Sequence, residues 1–359
     1  MIIESLMLEN FRNYPTLQLA LDPGTNIFYG DNAQGKTNIL EAVYLCGTTK
    51  SHKGSKDRDM ILFGKDEAHL RMQMLKNNSH ISVDMHLRKN RSKGIAINQV
   101  PIRKASELFG VANFVFFSPE DLNIIKNGPS ERRRFLDMEL CQLDAVYLHQ
   151  LSGYQKVLQQ RNRLLKDISF QSQLEDTLDI WDLQLAEYGK KVIESRERFI
   201  ERLNGIIHQV HESLSGGRES LVVTYEKNVD ADEFYDQLVK NRERDLRMRV
   251  SMTGPHRDDI CFQTGGIDIR KFGSQGQQRT AALSLKLSEI ELVKQEIGDP
   301  PILLLDDVLS ELDSHRQKYL LESIHDIQTL ITCTGLDDFV QNQFQINRVF
   351  QVSEGKILQ

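Results

Sequence analysis

A P-loop pattern occupies the segment Gly30-Asp31-Asn32-Ala33-Gln34-Gly35-Lys36-Thr37. In such a loop the glycines let backbone N–H groups surround phosphate oxygens, the lysine reaches the β and γ oxygens, and the threonine hydroxyl is offered to Mg²⁺. The segment follows an apolar run and precedes a predicted helix that starts near Asn38, which is the context this chemistry needs. The pattern predicts that residues 30–37 bind ATP or GTP, with Lys36 binding the phosphates and Thr37 binding Mg²⁺.

Two aspartates follow a short apolar run, Ile302 to Leu305, late in the chain. The run predicts a buried parallel strand whose carboxyl end presents Asp306 beside the P-loop, to hold Mg²⁺ directly or through water. Asp307 then occupies the position at which ABC-type sites carry the carboxylate that orients the attacking water. Taken alone, the run also fits an ordinary strand with an acidic turn, and the P-loop favours the catalytic interpretation.

The two halves of this predicted site are 270 positions apart, from Lys36 to Asp306, so a large segment is inserted between them. Ahead of the second half, the run Ser274-Gln275-Gly276-Gln277 precedes a predicted helix. Its hydroxyl, its N–H groups and the helix dipole suit a γ-phosphate, and the P-loop already surrounds the phosphates of its own chain. The run therefore resembles an ABC signature, which acts in trans within an ATP-sandwiched dimer. Asp313 matches the last position of an ABC D-loop.

Composition is that of a globular protein, with 359 residues, 40% hydrophobic and 27% charged. No apolar stretch approaches the roughly 20 residues of a membrane span, and the first residues lack signal-peptide features, so the expected location is the cytoplasm. The cysteines are widely spaced, which predicts buried, reduced thiols rather than a zinc site or disulfides. They are Cys46, Cys141, Cys261 and Cys333.

The formal net charge of −6 gives no overall attraction to nucleic acid, so any DNA binding depends on local basic clusters. Taken singly, each cluster is more typical of a solvated protein face than of a DNA site. The clusters are Arg88, Lys89, Arg91 and Lys93; Arg132 to Arg134; and Arg242, Arg244, Arg247 and Arg249.

Hydrophobic periodicity separates a β-rich region from a helical one. Strands are predicted at Ile2 to Leu8 and Leu17 to Leu21, and again between about Ala68 and Ile102. From Tyr147 a 3/4 spacing, interrupted only by Arg161, predicts a helix, and a second series from Leu178 to Val210 predicts another. The two helices are expected to fold back as an antiparallel hairpin, here called the arm, although plain core helices would show the same periodicity.

Further elements are expected after the arm, with a strand at Leu221 to Tyr225 and a charged helix at Ala231 to Arg249. The predicted fold is an α/β ABC-type ATPase head, formed by residues 1–119 and 250–359, with an inserted α-helical arm lobe at residues 120–249.

Taken together, these motifs resemble the RecF family of bacterial DNA replication and repair proteins, within the ABC and SMC ATPases. Its hallmark segments recur here in the family's order. They are Phe11-Arg12-Asn13-Tyr14, Gly30 to Thr37 with Asn38, Phe117-Ser118-Pro119-Glu120-Asp121, Arg132-Arg133-Arg134-Phe135-Leu136-Asp137, Gly254-Pro255-His256-Arg257-Asp258-Asp259, Gly273-Ser274-Gln275-Gly276-Gln277-Gln278-Arg279 and Leu304 to Asp313.

The resemblance implies an ATP- and Mg²⁺-dependent homodimer that binds single-stranded, double-stranded and gapped DNA. It also implies a weak, DNA-stimulated ATPase used as a conformational switch, and work at the nucleoid with RecR- and RecO-type mediators in recombinational repair. Arg12 is expected to approach the nucleotide, whereas His256 and Arg257 could serve the site or only hold a strand. Asp307 replaces the glutamate usual in ABC proteins, which implies slow hydrolysis.

Two other functions remain open on the residues alone. One is an ATPase subunit of a membrane transporter, although the strand near Leu330 to Thr334 lacks the switch histidine of that class. The other is a structural DNA clamp that binds ATP without useful hydrolysis.

Overall fold

A computed structural model describes residues 1–336, 339 and 344–358 of the chain. Its strands are β1 (Ile2–Phe11), β2 (Tyr14–Ala20), β3 (Thr25–Tyr29), β4 (Glu67–Lys76), β5 (Ser79–Arg88), β6 (Gly94–Ile97), β7 (Val100–Pro101), β8 (Phe114–Phe117), β9 (Leu221–Glu226), β10 (Asp259–Thr264), β11 (Ile267–Asp268), β12 (Ile302–Asp306), β13 (Thr329–Cys333), β14 (Arg348–Ser353) and β15 (Lys356–Leu358). Its helices are α1 (Lys36–Thr48), α2 (Leu122–Lys126), α3 (Pro129–Leu143), α4 (Ala145–Asp167), α5 (Leu178–Ser215), α6 (Phe234–Lys240), α7 (Arg242–Met248), α8 (Ile269–Phe272), α9 (Gln275–Ile297) and α10 (Ser314–Ser323).

The chain forms two compact units, and the mixed α/β class predicted above is confirmed. The first unit comprises Met1–Asp121 and Glu289–Gln359, and the second is the inserted segment Leu122–Ser288. The first boundary lies close to the predicted one at residue 119. The second was predicted after residue 249 but lies after Ser288, because β10 pairs antiparallel with β9 and so belongs with the inserted unit. Assignment of the two units as an ATPase head and an arm lobe stays a prediction.

A largely parallel sheet lies at the centre of the first unit, in the strand order β15-β14-β3-β13-β12-β8. Every residue of β12 and β13 is buried, in agreement with their uninterrupted apolar and β-branched sequences. Strands β3, β13, β12 and β8 run parallel, so their carboxyl ends share one edge. The predicted strand ending at Asp306 is therefore confirmed, and β13 separates it from β3.

A second sheet in this unit is antiparallel, in the order β2-β1-β4-β5-β6-β7. Alternate residues of β4 are buried, as the period of two requires for a sheet with one face on the core. Asn77 and Asn78 connect β4 to β5 with φ values of 49° and 59°, the left-handed pair typical of a two-residue hairpin. The β-rich regions predicted at both places are confirmed.

The predicted arm hairpin is present in the second unit. The ring of Tyr188 on α5 packs where a side chain on Gly153 of α4 would lie, and Arg161 binds Asp182 across the same pair of helices. Higher numbers on α4 thus face lower numbers on α5, which makes the helices antiparallel. The single charged helix expected from Ala231 to Arg249 is instead the short helices α6 and α7. They meet at Asn241, whose side-chain amide donates to Thr253 Oγ1 at 3.0 Å.

Arg161, the residue that interrupts the helical pattern of α4, is completely buried. Its guanidinium pairs with Asp182 at 2.5 Å and with Asp245 at 2.7 Å, and both carboxylates are also fully buried. Ser251 Oγ accepts a further hydrogen bond at 2.7 Å. A charge at this apolar position is tolerated because the partners of the guanidinium come from three other segments of the same unit.

Two simpler expectations concern cysteines and membrane spans. All four cysteines are buried, as predicted. Among the helices in the described part of the chain, none combines the length and the apolar composition needed to cross a membrane.

Replacing Arg161 should destabilise the second unit severely. We expect Arg161→Ala to lower the free energy of unfolding by about 3–5 kcal/mol, because the buried Asp245 would lose its ion pair with Arg161 and the buried Asp182 would keep only its bond to Arg242. Urea denaturation followed by circular dichroism measures this change. Arg163→Ala is the matched control: Arg163 lies on the same helix, 79% exposed, and its loss should alter stability by no more than about 0.5 kcal/mol. Equal effects of the two substitutions would contradict this account of the cluster.

Candidate nucleotide-binding site

The P-loop connects β3 to α1, as predicted. Gly30 and Gly35 have φ values of 146° and 112°, a region that side chains disfavour. A Cβ on Gly30 would lie 2.4 Å from the carbonyl oxygen of Val352, and one on Gly35 would lie 2.4 Å from Asn13 Nδ2. Both glycines are thus required by conformation and by space. Residues 31–33, at the tip of the loop, are exposed.

Lys36 begins α1 with a side chain that is only 7% exposed. Its ammonium group donates to the carbonyl oxygens of Gly30 at 2.6 Å and Asp31 at 2.8 Å. The positive charge therefore lies within the curve of the loop, beside the exposed residues at its tip. This position suits a cation that binds the terminal phosphates of a nucleotide.

The turn between β1 and β2 supports the P-loop. Asn13 Nδ2 donates to the carbonyl oxygen of Gln34 at 2.9 Å, and Asn13 Oδ1 accepts from Asn38 Nδ2 at 2.8 Å. The Tyr14 hydroxyl donates to the carbonyl oxygen of Gly35 at 3.1 Å. Asn13 and Tyr14 belong to a hallmark segment of the family, but no role in the site was predicted for either.

A second support comes from the turn between β14 and β15. The backbone N–H of Glu354 donates to Gln34 Oε1 at 2.6 Å, and that of Gly355 donates to the carbonyl oxygen of Gln34 at 3.1 Å. Sequence reasoning missed this contact, since nothing local marks a residue 320 positions away as a neighbour of the loop.

Thr37 and Asp306 meet as the sequence predicts. The Thr37 hydroxyl donates to Asp306 Oδ1 at 2.7 Å, joining residues 269 positions apart. A hydroxyl and a carboxylate are hard oxygen ligands of the kind that Mg²⁺ binds together with nucleotide phosphates. Thr37 and Asp306 therefore fit as the residues that would hold Mg²⁺, which when bound neutralises charge that develops on the phosphate oxygens.

Asp307 follows the end of β12 with a φ of 53°. Its backbone N–H donates to Thr332, to the carbonyl oxygen at 3.2 Å and to Oγ1 at 3.0 Å. Ser310 Oγ donates to the carbonyl oxygen of Asp307 at 2.9 Å. These bonds hold the backbone of Asp307 at the edge of the sheet where Asp306 and the P-loop lie.

Asp313, the predicted last residue of the D-loop, is the N-cap of α10. Its carboxylate accepts from the backbone N–H of Arg316 at 3.0 Å, and this hydrogen bond lowers the pKa of Asp313. Asp313 lies in the first unit, in the same segment between β12 and α10 that contains Asp307.

Arg12 is bound to Glu41 of α1 rather than to the loop itself. Two of its nitrogens donate to the two carboxylate oxygens of Glu41 at 2.7 and 2.8 Å. Burial would raise the pKa of Glu41, but hydrogen bonds from Arg12 and Ser51 outweigh it and the pKa is lowered. Arg12 thus anchors the helix that carries Lys36 and Thr37, and its expected contact with nucleotide stays a prediction.

The signature run belongs to the second unit. Ser274 and Gln277 form a capping box at the start of α9: the backbone N–H of Gln277 donates to Ser274 Oγ at 3.2 Å, and that of Ser274 donates to Gln277 Oε1 at 2.9 Å. Ser274, Gln275 and Gly276 are exposed. The run thus combines a helix N-terminus with an accessible hydroxyl, and its action in trans stays a prediction.

His256 and Arg257 have bonding partners within the second unit. His256 Nε2 donates to the carbonyl oxygen of Ser251 at 2.9 Å, and Nδ1 accepts from the Tyr154 hydroxyl at 2.6 Å. Burial lowers the pKa of His256 to about 4, so the ring is neutral at pH 7. These contacts favour the interpretation that His256 holds the chain before β10.

The cluster Arg132 to Arg134 was open to interpretation as a DNA contact or as a structural face. Arg132 is 4% exposed and forms a two-point ion pair with Asp259, at 2.5 and 3.0 Å. Arg133 donates to the carbonyl oxygen of Asp258 at 2.7 Å. An interpretation of Arg132 as a solvent-facing phosphate contact is therefore wrong, because its charge is used inside the unit.

Comparison with known proteins gives one consistent family. Residues 2–357 match the family model described as RecF/RecN/SMC N terminal domain. The chain is 63% identical to the DNA replication and repair protein RecF of Agathobacter rectalis over 357 residues, which cover 99% of each chain. It is 44% identical to the RecF of Clostridium perfringens, again over 99% of each chain.

Solved structures agree with this result. The chain matches a structure described as the recombination mediator protein RecF-ATP in the RecFOR pathway, with a TM-score of 0.93, 35% identity and coverage of 99% of this chain and 97% of that one. An SMC head bound to the C-winged helix domain of ScpA matches with a TM-score of 0.60 at 15% identity, covering 100% and 97% of the two chains. That likeness shows the fold of an SMC-type head alone.

Proposed function

Because this chain belongs to the RecF family of DNA replication and repair proteins, we propose that it is an ATP-driven switch that binds DNA as a homodimer in recombinational repair. The observation that carries the proposal is the contact between Thr37 and Asp306, which joins the P-loop to the second acidic motif. Family membership also decides against the ATPase subunit of a membrane transporter.

Each chemical group in the proposed nucleotide site has a separate role. Amides of residues 30–37 and the ammonium of Lys36 bind the phosphates, while Thr37 and Asp306 hold Mg²⁺. Asp307 orients the attacking water and accepts its proton. An aspartate side chain is shorter than the glutamate of other ABC proteins, so hydrolysis is slow. The rate of hydrolysis then sets how long the ATP-bound state lasts.

Dimerisation completes the site. Ser274 and its neighbours lie at an exposed helix N-terminus, which attracts anions. In the proposed dimer this run from one subunit binds the γ-phosphate held by the P-loop of the other. Two chains therefore close around ATP and separate after hydrolysis.

DNA binding is assigned to the basic surface around the turn between β5 and β6. Arg91 and Arg103 are exposed there, and Arg88, Lys93 and Arg103 are among the residues that line a cleft. This surface supplies local positive charge on a chain with a net charge of −6, as phosphate contacts require.

A RecF relative is described as a recombination mediator in the RecFOR pathway. We extend this pathway role to the present chain, which by this proposal works with RecR- and RecO-type mediators on single-stranded, double-stranded and gapped DNA. Because that DNA lies at the nucleoid, the proposed site of action is the cytoplasm.

Substitution of the two aspartates should separate hydrolysis from metal-dependent binding. Asp307→Asn is expected to bind ATP and Mg²⁺ normally and to accumulate as a long-lived ATP dimer, because only water activation is lost. Asp306→Asn should lose Mg²⁺-dependent ATP binding. Calorimetric titration and steady-state turnover measure both effects. Equal loss of ATP affinity in the two variants would show that the division of roles is wrong, and normal turnover in Asp307→Asn would show that Asp307 does not activate the water. A wild-type protein without turnover would favour a structural clamp.

A bulky charge at Ser274 should act on the partner's site only. Ser274→Arg is expected to keep the ATP affinity of the monomer but to block ATP-dependent dimerisation, because it introduces volume and charge where the other subunit's γ-phosphate binds. Ser274→Ala is the comparison: it loses the helix cap, at a cost of about 1 kcal/mol, and the hydroxyl, but adds no bulk, so its dimer should be weakened rather than blocked. Analytical ultracentrifugation with ATP distinguishes them, and a normal dimer of Ser274→Arg would rule out the trans assignment.

Salt dependence tests the DNA surface. The double variant Arg91→Ala/Arg103→Ala should reduce the slope of log K against log salt by about 1.8 for duplex DNA, since each lost phosphate contact removes about 0.9. Arg163→Ala, which removes an exposed arginine from the arm, should leave the slope unchanged. Fluorescence anisotropy with ATP, from 50 to about 200 mM salt, gives the slopes. If the double variant has the same slope as wild type, the DNA-binding surface lies elsewhere on the chain.

A further inference from the structure

Thr332 lies on the strand that separates the two nucleotide motifs. Strand β13 pairs with β3, which precedes the P-loop, and with β12, which ends at Asp306. In the second pair Thr332 is the direct partner of Asp306. Paired residues on neighbouring strands project from the same face of a sheet, so the register alone brings the Thr332 side chain to the Asp306 carboxylate.

The hydroxyl of Thr332 uses both of its bonding capacities at this site. It donates to Asp306 Oδ1 at 2.7 Å and accepts from the backbone N–H of Asp307 at 3.0 Å. The residue is 1% exposed, so solvent cannot substitute for either bond. One hydroxyl thus fixes the carboxylate assigned to Mg²⁺ and the backbone of the carboxylate assigned to water.

Asp306 Oδ1 accepts from Thr37 as well as from Thr332, each at 2.7 Å. Both bonds engage the same oxygen, and Oδ2 takes part in neither. The carboxylate is therefore held by one oxygen from two directions, which fixes its rotation. A fixed carboxylate presents its second oxygen in a constant orientation.

The backbone of Asp307 needs such a restraint. Its φ of 53° is uncommon for a residue with a side chain, although aspartate tolerates it better than most residues do. The Thr332 hydroxyl and carbonyl groups both accept from its N–H and so stabilise this conformation. The direction of the Asp307 side chain depends on that backbone conformation.

From this geometry we propose that Thr332 is a positioning residue for ATP hydrolysis: it sets Asp306 for Mg²⁺ and Asp307 for the attacking water at the same time. The proposal rests on the roles given to the two aspartates under the proposed function. Thr332 touches neither nucleotide nor water in this scheme and acts through its neighbours. A β-branched side chain suits the task, because its χ1 is restricted on a strand.

The experiment compares substitutions at two threonines of β13. Thr332→Val keeps the shape but removes the hydroxyl, and Thr332→Ser keeps the hydroxyl. Thr329→Val is the matched control: Thr329 is fully buried on the same strand, and its hydroxyl donates to the carbonyl oxygen of Ile327 at 2.9 Å, away from Asp306. Thr332→Ala gives the same comparison without a branched side chain, should Thr332→Val not fold.

Three quantities are measured on the full-length chain: ATP affinity by calorimetry over a series of Mg²⁺ concentrations, steady-state kcat and KM, and the melting temperature. For Thr332→Val we expect the Mg²⁺ concentration that half-saturates ATP binding to rise, and kcat to fall, each on the order of 10- to 100-fold, the usual effect of losing a group that orients a metal ligand. Thr332→Ser should behave like wild type. Thr329→Val should lower only the melting temperature.

The outcomes separate two kinds of failure. A Thr332→Val protein whose Mg²⁺ dependence and kcat match those of Thr329→Val overturns the positioning role and leaves the nucleotide site intact. A wild-type protein without Mg²⁺-dependent ATP binding overturns the proposed function, and the role of Thr332 with it.

Discussion

A single carboxylate oxygen, Asp306 Oδ1, accepts hydroxyl hydrogen bonds from Thr37 and Thr332. These residues follow or belong to β3 and β13, and Asp306 ends β12, so the contact exists only when the central sheet has its native strand order and register. Strands β8 and β12 are parallel neighbours in that sheet, and parallel neighbours need a crossover connection. Here the crossover contains the entire inserted unit, Leu122–Ser288. The site therefore forms only when the two chain segments of the first unit, before and after the insertion, have packed together.

The P-loop depends on the same assembly. Gln34 is held from one side by Asn13 near the N-terminus and from the other by Glu354 and Gly355 near the C-terminus. Both ends of the chain thus restrain the loop before any phosphate binds, while its tip stays exposed. Restraint of this kind reduces the conformational entropy that ordering would otherwise cost on binding. It also stabilises a loop that contains backbone at positive φ.

Local patterns were sufficient to predict the P-loop, the strand before Asp306, the arm helices and the class of fold, since each depends on spacing within a short segment. Thr332, Asn13 and Glu41 were missed because their roles depend on pairing between distant strands or helices, which no periodicity reveals. The buried ion pair of Arg132 was missed as well. A run of arginines is typical of an exposed surface, and the ion-pair partner of Arg132, Asp259, is 127 positions away in the chain. The boundary predicted after residue 249 differs from the one after Ser288 for the same reason, since the pairing of β9 with β10 keeps β10 in the inserted unit.

The signature run illustrates how the same groups can serve folding and switching. Within one chain, the capping box uses the N–H groups of Ser274 and Gln277 as donors, and Ser274 Oγ as one of the two acceptors. A phosphate from a partner subunit would compete for these two N–H donors, and each hydrogen bond contributes only about 0.5–1.5 kcal/mol net. The box therefore stabilises the helix start when no partner is bound, yet yields to an anion at small cost. Such a balance suits the proposed dimer, which closes on ATP and opens again after hydrolysis.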